Sequence, residues 1–166
     1  MRRLMITFTV LCTITTPACR TAGEQALTPA ERTAITDSIV AVAHGLAQAA
    51  NALDADALDR MLASDPELTW ASDGHLLAIS HDSMMALYRS FYHSLRSMDF
   101  AWDTLRVSVL GPGAAVLSGA AHFAVTDTSN QTDREAVVVT YVFVRRDHRW
   151  QLLHGHASHR PLQPSH

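Results

Sequence analysis

Three histidines carry most of the chemistry this sequence offers: His122, and the pair in Trp150-Gln151-Leu152-Leu153-His154-Gly155-His156-Ala157-Ser158. A strand turns successive side chains to opposite faces, so Trp150, Leu152, His154, His156 and Ser158 form one stripe, apolar where it begins and polar where it ends. Such a stripe suits a pocket wall, with an aromatic floor followed by groups able to donate, accept or bind a metal. Histidines at the end of an apolar strand serve equally as hydrogen-bonded framework, so both roles stay open. His122 lies among Val116, Ser118, Ala120 and Ala124, a stripe of small residues that leaves room for a ligand. If both stripes face one cavity, His122, His154 and His156 become candidates for acid/base catalysis. The same three could close a metal site, since His154 and His156 start roughly 6 to 7 Å apart on one strand face. No carboxylate evidently stands beside them to orient imidazoles for zinc, so the expectation is no metal and no cofactor. One of the pair is then framework and the other a ligand contact. His75, His81, His93 and His159 read as surface residues.

Other chemistries are excluded by residues the chain lacks. The two cysteines, Cys12 and Cys19, lie within and at the end of the N-terminal apolar run, so the body of the protein has no thiol for disulfides, nucleophilic catalysis or zinc. All 13 basic residues are arginine, which removes Schiff-base chemistry and a lysine base. From Thr104 to Thr126 and from Ala136 to Arg146 there is no acid, and Asp99, Asp103, Glu135 and Asp147 fall at expected strand ends or turns. Asp54, Asp56 and Asp59, near an expected second helix, could still reach a pocket. Without Arg2 and Arg3 the formal charge falls from −3 to −5. That diffuse acidity, with no arginine run among aromatics, argues against nucleic acid.

These residues need elements to position them. Met1-Arg2-Arg3, the apolar run Leu4 to Ile14 and small residues up to Ala18 have the layout of a secretory signal, too short to span a bilayer. The expected organisation is a signal peptide over 1–18, a tether over 19–27, one domain over 28–160 and a frayed tail over 161–166. Cys19 resembles the lipidated cysteine of bacterial lipoproteins, although Thr16 stands where leucine is usual. The resemblance implies an exported, envelope-attached protein, with secretion after plain cleavage as the alternative.

Thr28-Pro29-Ala30-Glu31 is a capping box with proline at the first helical position. Ile35, Ile39, Val42, Leu46, Ala49 and Leu53 then form one stripe of a long helix. Asp54 caps a short second helix, and Ser72-Asp73-Gly74 turns a small hairpin. A third helix over about 82–96 presents Met85, Tyr88, Phe91, Tyr92 and Leu95. Beyond it the period becomes two, predicting antiparallel strands near 101–110, 114–126, 134–146 and 149–159. The segment Ala136 to Val144 is apolar on both faces, so its outer face should meet another surface, most economically a second copy.

Two capped helices, a hairpin, a third helix and a meander ending in Trp-x-x-x-His-x-His-x-Ser resemble the nuclear transport factor 2-like superfamily, closest to its SnoaL-like branch. The run WQLLHGHAS is also similar to the last strand of the calmodulin-dependent kinase association domain. Over Thr28 to Ser158 the resemblance implies an α+β fold: a strongly curved antiparallel sheet wrapped on the long helix, a cone whose mouth holds a pocket, commonly in a homodimer. It transmits no single activity, since members include isomerases, dehydratases, cyclases, binding domains and assembly domains. The expected function is binding of a small, partly apolar ligand by some of Trp70, Tyr92, His122, Tyr141, His154 and His156. The alternative is a SnoaL-like enzyme using histidine acid/base chemistry.

Overall fold

The computed structural model describes residues 26–64 and 66–162. The expected signal peptide, Cys19 and most of the expected tether, and the end of the expected tail lie outside the described residues. Helix α1 (Pro29–Asn51) starts where the sequence announces it: Thr28 Oγ1 accepts from the Glu31 backbone, and the Glu31 carboxylate accepts from the Thr28 backbone at 2.8 Å. Its buried stripe is Ile35, Ile39, Ala43, Leu46 and Ala49, with Ala43 taking the place expected of Val42. Helix α2 (Ala55–Asp59), capped by Asp54, ends early. The chain then extends so that Leu62 bridges Leu152, whose backbone donates to Met61 and accepts from Ala63.

Strands β1 (Thr69–Ser72) and β2 (His75–Ala78) form the expected hairpin, its turn carried by Asp73 and Gly74 at φ of 49° and 82°. Helix α3 (His81–Ser94) is capped by Ser80. The meander follows as β3 (Leu95–Gly111), β4 (Ala114–Asp127), β5 (Thr132–Arg146) and β6 (Arg149–Pro161). β3 begins six residues before the expected 101, because a bulge between Leu95 and Ser97 breaks the alternation that would have revealed it. Six strands run in the order β2-β1-β6-β5-β4-β3 as one curved, unclosed sheet. All neighbours are antiparallel except β1 and β6, which pair in parallel. Ile39, Leu46, Leu117, Val139, Phe143 and Leu152 fill the core between α1 and the inner face of the sheet.

A bulge in β6 sets the phase of its functional end. Phe143 pairs with Leu152, but the next pair is Val142 with His154, which leaves Leu153 as an extra residue. An extra residue inverts the alternation beyond it. The inner stripe is therefore Leu152, then Gly155, Ala157 and His159, while His154, His156 and Ser158 turn outward. The single stripe expected from the sequence is corrected by this one insertion.

Candidate functional site

The concave face of the sheet and helix α3 enclose a funnel. Its inner end is a cavity of about 80 Å³ reaching Leu46, Leu58 and Leu152, and its mouth a larger one of about 460 Å³. Trp70, Tyr88, Phe91, Met98, Phe100 and Tyr141 line both, so the two are continuous. Two glycines make room for the indoles of this wall. A Cβ on Gly155 would stand 2.1 Å from Cζ3 of Trp70, and one on Gly119 2.8 Å from Cζ3 of Trp102. Trp102 is also tied to helix α1 by donating from Nε1 to the Ala43 carbonyl at 3.0 Å.

Tyr88 and Tyr92 stand one turn apart on α3, their ring centroids separated by 5.6 Å, and Trp70 packs against Tyr88 and Tyr141. Burial pushes the Tyr92 phenol up to about 12, with the charge of Asp54 adding to it. Burial likewise raises Tyr88 and Tyr141, helped by neighbouring phenols. The phenols are thus neutral at ordinary pH and available as hydrogen-bond donors.

The mouth, apolar over most of its wall, also carries Ser72, Asp73, Asp133, Glu135 and His159, with no arginine among the lining residues. Asp73 Oδ1 accepts from the His159 backbone at 2.8 Å, and Oδ2 stands 2.7 Å from His159 Nδ1. Ser72 Oγ donates to Asp73 Oδ2 at 2.9 Å and lies 3.2 Å from the same Nδ1. The His159 backbone and ring, with Ser72, hold the Asp73 carboxyl at about 2, below its ordinary 3.8. Phe123 meets the His159 ring edge-on at 5.8 Å.

Of the residues expected at the pocket, Trp70, Tyr92 and Tyr141 line the funnel. His122, His154 and His156 are not among its lining residues. His154 Nδ1 sits 2.5 Å from Thr69 Oγ1, and the exposed His156 pairs with Thr140 on the outer side. In β4 the inward stripe is Ala115, Leu117, Gly119, Ala121 and Phe123, which turns His122 outward with the small residues beside it. His122 Nδ1 there meets Asp103 Oδ1 at 2.8 Å. Asp103 occupies a bulge in mid-strand, not the solvated strand end expected of it, and supplies the carboxylate that seemed missing. Among the described residues no group of three or more His, Cys, Asp or Glu is placed to hold a metal. Asp54 caps α2, Asp56 approaches Arg89 at 3.5 Å, and Asp59 meets His81 Nε2 at 2.6 Å; none lines the funnel.

Sequence reading missed Asp73 and Ser72 as members of one site with His159, which was expected at the surface and instead lines the mouth. Ser72-Asp73-Gly74 was legible as a turn, but its parallel pairing with β6, which delivers Asp73 to His159, has no local signature.

A family profile described as a SnoaL-like domain matches residues 39–163. No curated protein sequence matches the chain. Among solved structures the chain is similar to a nuclear transport factor 2-like superfamily protein from Salmonella enterica, at 15% identity and a TM-score of 0.72, covering 81% of this chain and 96% of that one. It is also similar to a LinA-type hexachlorocyclohexane dehydrochlorinase from Novosphingobium barchaimii, at 16% identity and a TM-score of 0.69, covering 84% and 97%. A conserved protein from Planctomyces limnophilus is similar at 19% identity and a TM-score of 0.66, covering 79% and 100%. At these identities the shared property is the cone-shaped α+β fold.

Proposed function

We propose, from the premise that this chain belongs to the SnoaL-like domain family, that it holds a small, largely apolar ligand in the funnel between α3 and the sheet. The observation that carries this reading is the continuous aromatic wall of Trp70, Tyr88, Phe100 and Tyr141 around about 460 Å³, a size suited to a small molecule. The neutral phenols favour a ligand bearing a carbonyl, ether or similar acceptor. Asp73, Asp133 and Glu135 without an arginine disfavour an anionic one. His122, His154 and His156 stand on the opposite face, so the geometry lends no support to acid/base chemistry through them. Binding is tested with 5-nitroindazole, a flat neutral probe: it should quench tryptophan fluorescence saturably, and Leu87→Trp, which crowds the half-open mouth, should weaken it about tenfold or more. Quenching untouched by that substitution would count against the funnel as the site.

The reading includes two further parts. The basic start, apolar run and Cys19 support export and attachment to the cell envelope through an acylated cysteine. Intact-mass analysis of the membrane fraction should then show Cys19 as the first residue with acyl chains, and an unacylated chain beginning at Cys19 would remove the anchor. The outward Val138, 60% exposed, with Val142 and Val144 on the same side of β5, supports a homodimer through the outer face of the sheet.

A further inference from the structure

Two carboxylates at the funnel mouth have no partner among the described residues. Asp133 and Glu135 stand two apart on β5, in unbroken register with β4, so both turn to the inner side with Val137 and Val139 and both line the mouth. Side chains at that spacing start roughly 6 to 7 Å apart, and like charges so placed repel. Neither is paired with an arginine or a histidine or takes a hydrogen bond from a described residue. Asp73 differs, because Ser72 and the His159 backbone and ring already occupy its two oxygens.

A second, independent feature lies deeper on the same face. Tyr141 is 8% exposed, lines both parts of the funnel, and makes no hydrogen bond through its hydroxyl to a described residue. No buried side-chain oxygen among the described residues lacks a partner, so this hydroxyl is not sealed in the core and opens on the cavity. It is free both to donate and to accept. The aromatic wall favours one sign of charge as well, since the face of a ring attracts a cation.

We infer that the funnel selects an organic cation, with a flat apolar body among the aromatic rings and a protonated or quaternary amine at the mouth beside Asp133 and Glu135. The inference rests on the reading that the funnel binds a small, largely apolar molecule. Phe123 pairs directly with Glu135, so a ring lying against Phe123 and an amine one or two bonds beyond it reach the carboxylate together. The mouth is half open, which lets the amine keep part of its hydration while the body is buried and limits the cost of binding a charge. Tyr141 stands six residues further along β5, roughly 20 Å along the strand, where a neutral polar group at the far end of a longer ligand meets its hydroxyl.

Calorimetry with three naphthalenes of similar shape tests this: (naphthalen-2-ylmethyl)trimethylammonium, 2-naphthalenemethanol and 2-naphthylacetate. The ammonium should bind about tenfold or more tighter than the alcohol and the carboxylate more weakly than the alcohol, and added salt should shrink both differences. Asp133→Asn combined with Glu135→Gln should bring the ammonium down to the level of the alcohol. Unchanged binding of the alcohol would show that this variant is folded with its funnel intact. Asp37→Asn combined with Asp147→Asn removes two charges from residues outside the funnel and should leave the order of the three as it was. Equal binding of ammonium and alcohol by the parent protein, or an equal loss from both double variants, would overturn the cation and leave the binding reading standing. No binding of any of the three would overturn the inference, and if 5-nitroindazole also failed to quench, the binding reading with it.

Discussion

The pairing of Asp73 with His159 makes a definite statement about stability. Asp73 titrates at about 2 in the folded protein against an ordinary 3.8, because the His159 backbone and ring and Ser72 all favour its charged form. A depressed folded value means that the folded state gains from the charge above the ordinary value. That gain disappears as pH falls from about 4 toward 2. The stability difference between the protein and Asp73→Asn should therefore shrink as pH falls from about 4 toward 2, as read from urea denaturation at each pH. A difference that does not narrow below pH 4 would show that Asp73 is not held by these donors. The residue was visible in the sequence as a turn former and nothing more. Its second role depends on a partner 86 positions away.

At the level of the element, β6 carries two local devices that together shape the funnel. The bulge at Leu153 changes which residues face inward, and Gly155, placed inward by it, lets the Trp70 indole lie directly on the strand. A methyl group at 2.1 Å from the indole has no room, so Gly155→Ala must push Trp70 toward the cavity. Overpacking of this kind typically costs about 1 to 3 kcal/mol. The variant should unfold at correspondingly lower urea and bind 5-nitroindazole more weakly. Stability within about 0.5 kcal/mol of the parent, the usual size of an inconsequential substitution, would refute this packing of Trp70. Local rules did predict the helices well. Capping pairs at Thr28 and Ser80 start α1 and α3 where side-chain chemistry dictates, because a cap involves residues three apart. Strand phase is different, since bulges in β3 and β6 are set by pairing with a neighbour.

For the whole molecule, the unclosed sheet has one face against α1 and α3 and another turned away from them. Val138, Val142 and Val144 make that outer face apolar at its centre. On the proposed pairing, Val138→Arg should give a monomer by light scattering at micromolar concentration while thermal melting shows the domain still folded, because the substitution lies outside the core. A parent protein that is itself monomeric under those conditions would exclude the interface. The funnel opens on the inner side, so the proposed ligand site and the proposed pairing use separate surfaces.

The sequence by itself determined the α+β class, the order of helices, hairpin and meander, the family, and the aromatic residues Trp70, Tyr92 and Tyr141 that wall the cavity. Each of these rests on local information: caps span three residues, a strand alternates every two, and large apolar side chains fold inward. It also pointed to imidazoles near the end of the last strand, but to His154 and His156, which do not line the cavity, where His159 does. Only the tertiary structure decided which histidine faces in. One extra residue at Leu153 turns His154 and His156 outward and His159 inward, and the parallel pairing of β1 with β6 brings Asp73 to it. Register and bulge position are fixed by contacts between strands distant in the chain, and a two-residue period read along one strand carries no record of them.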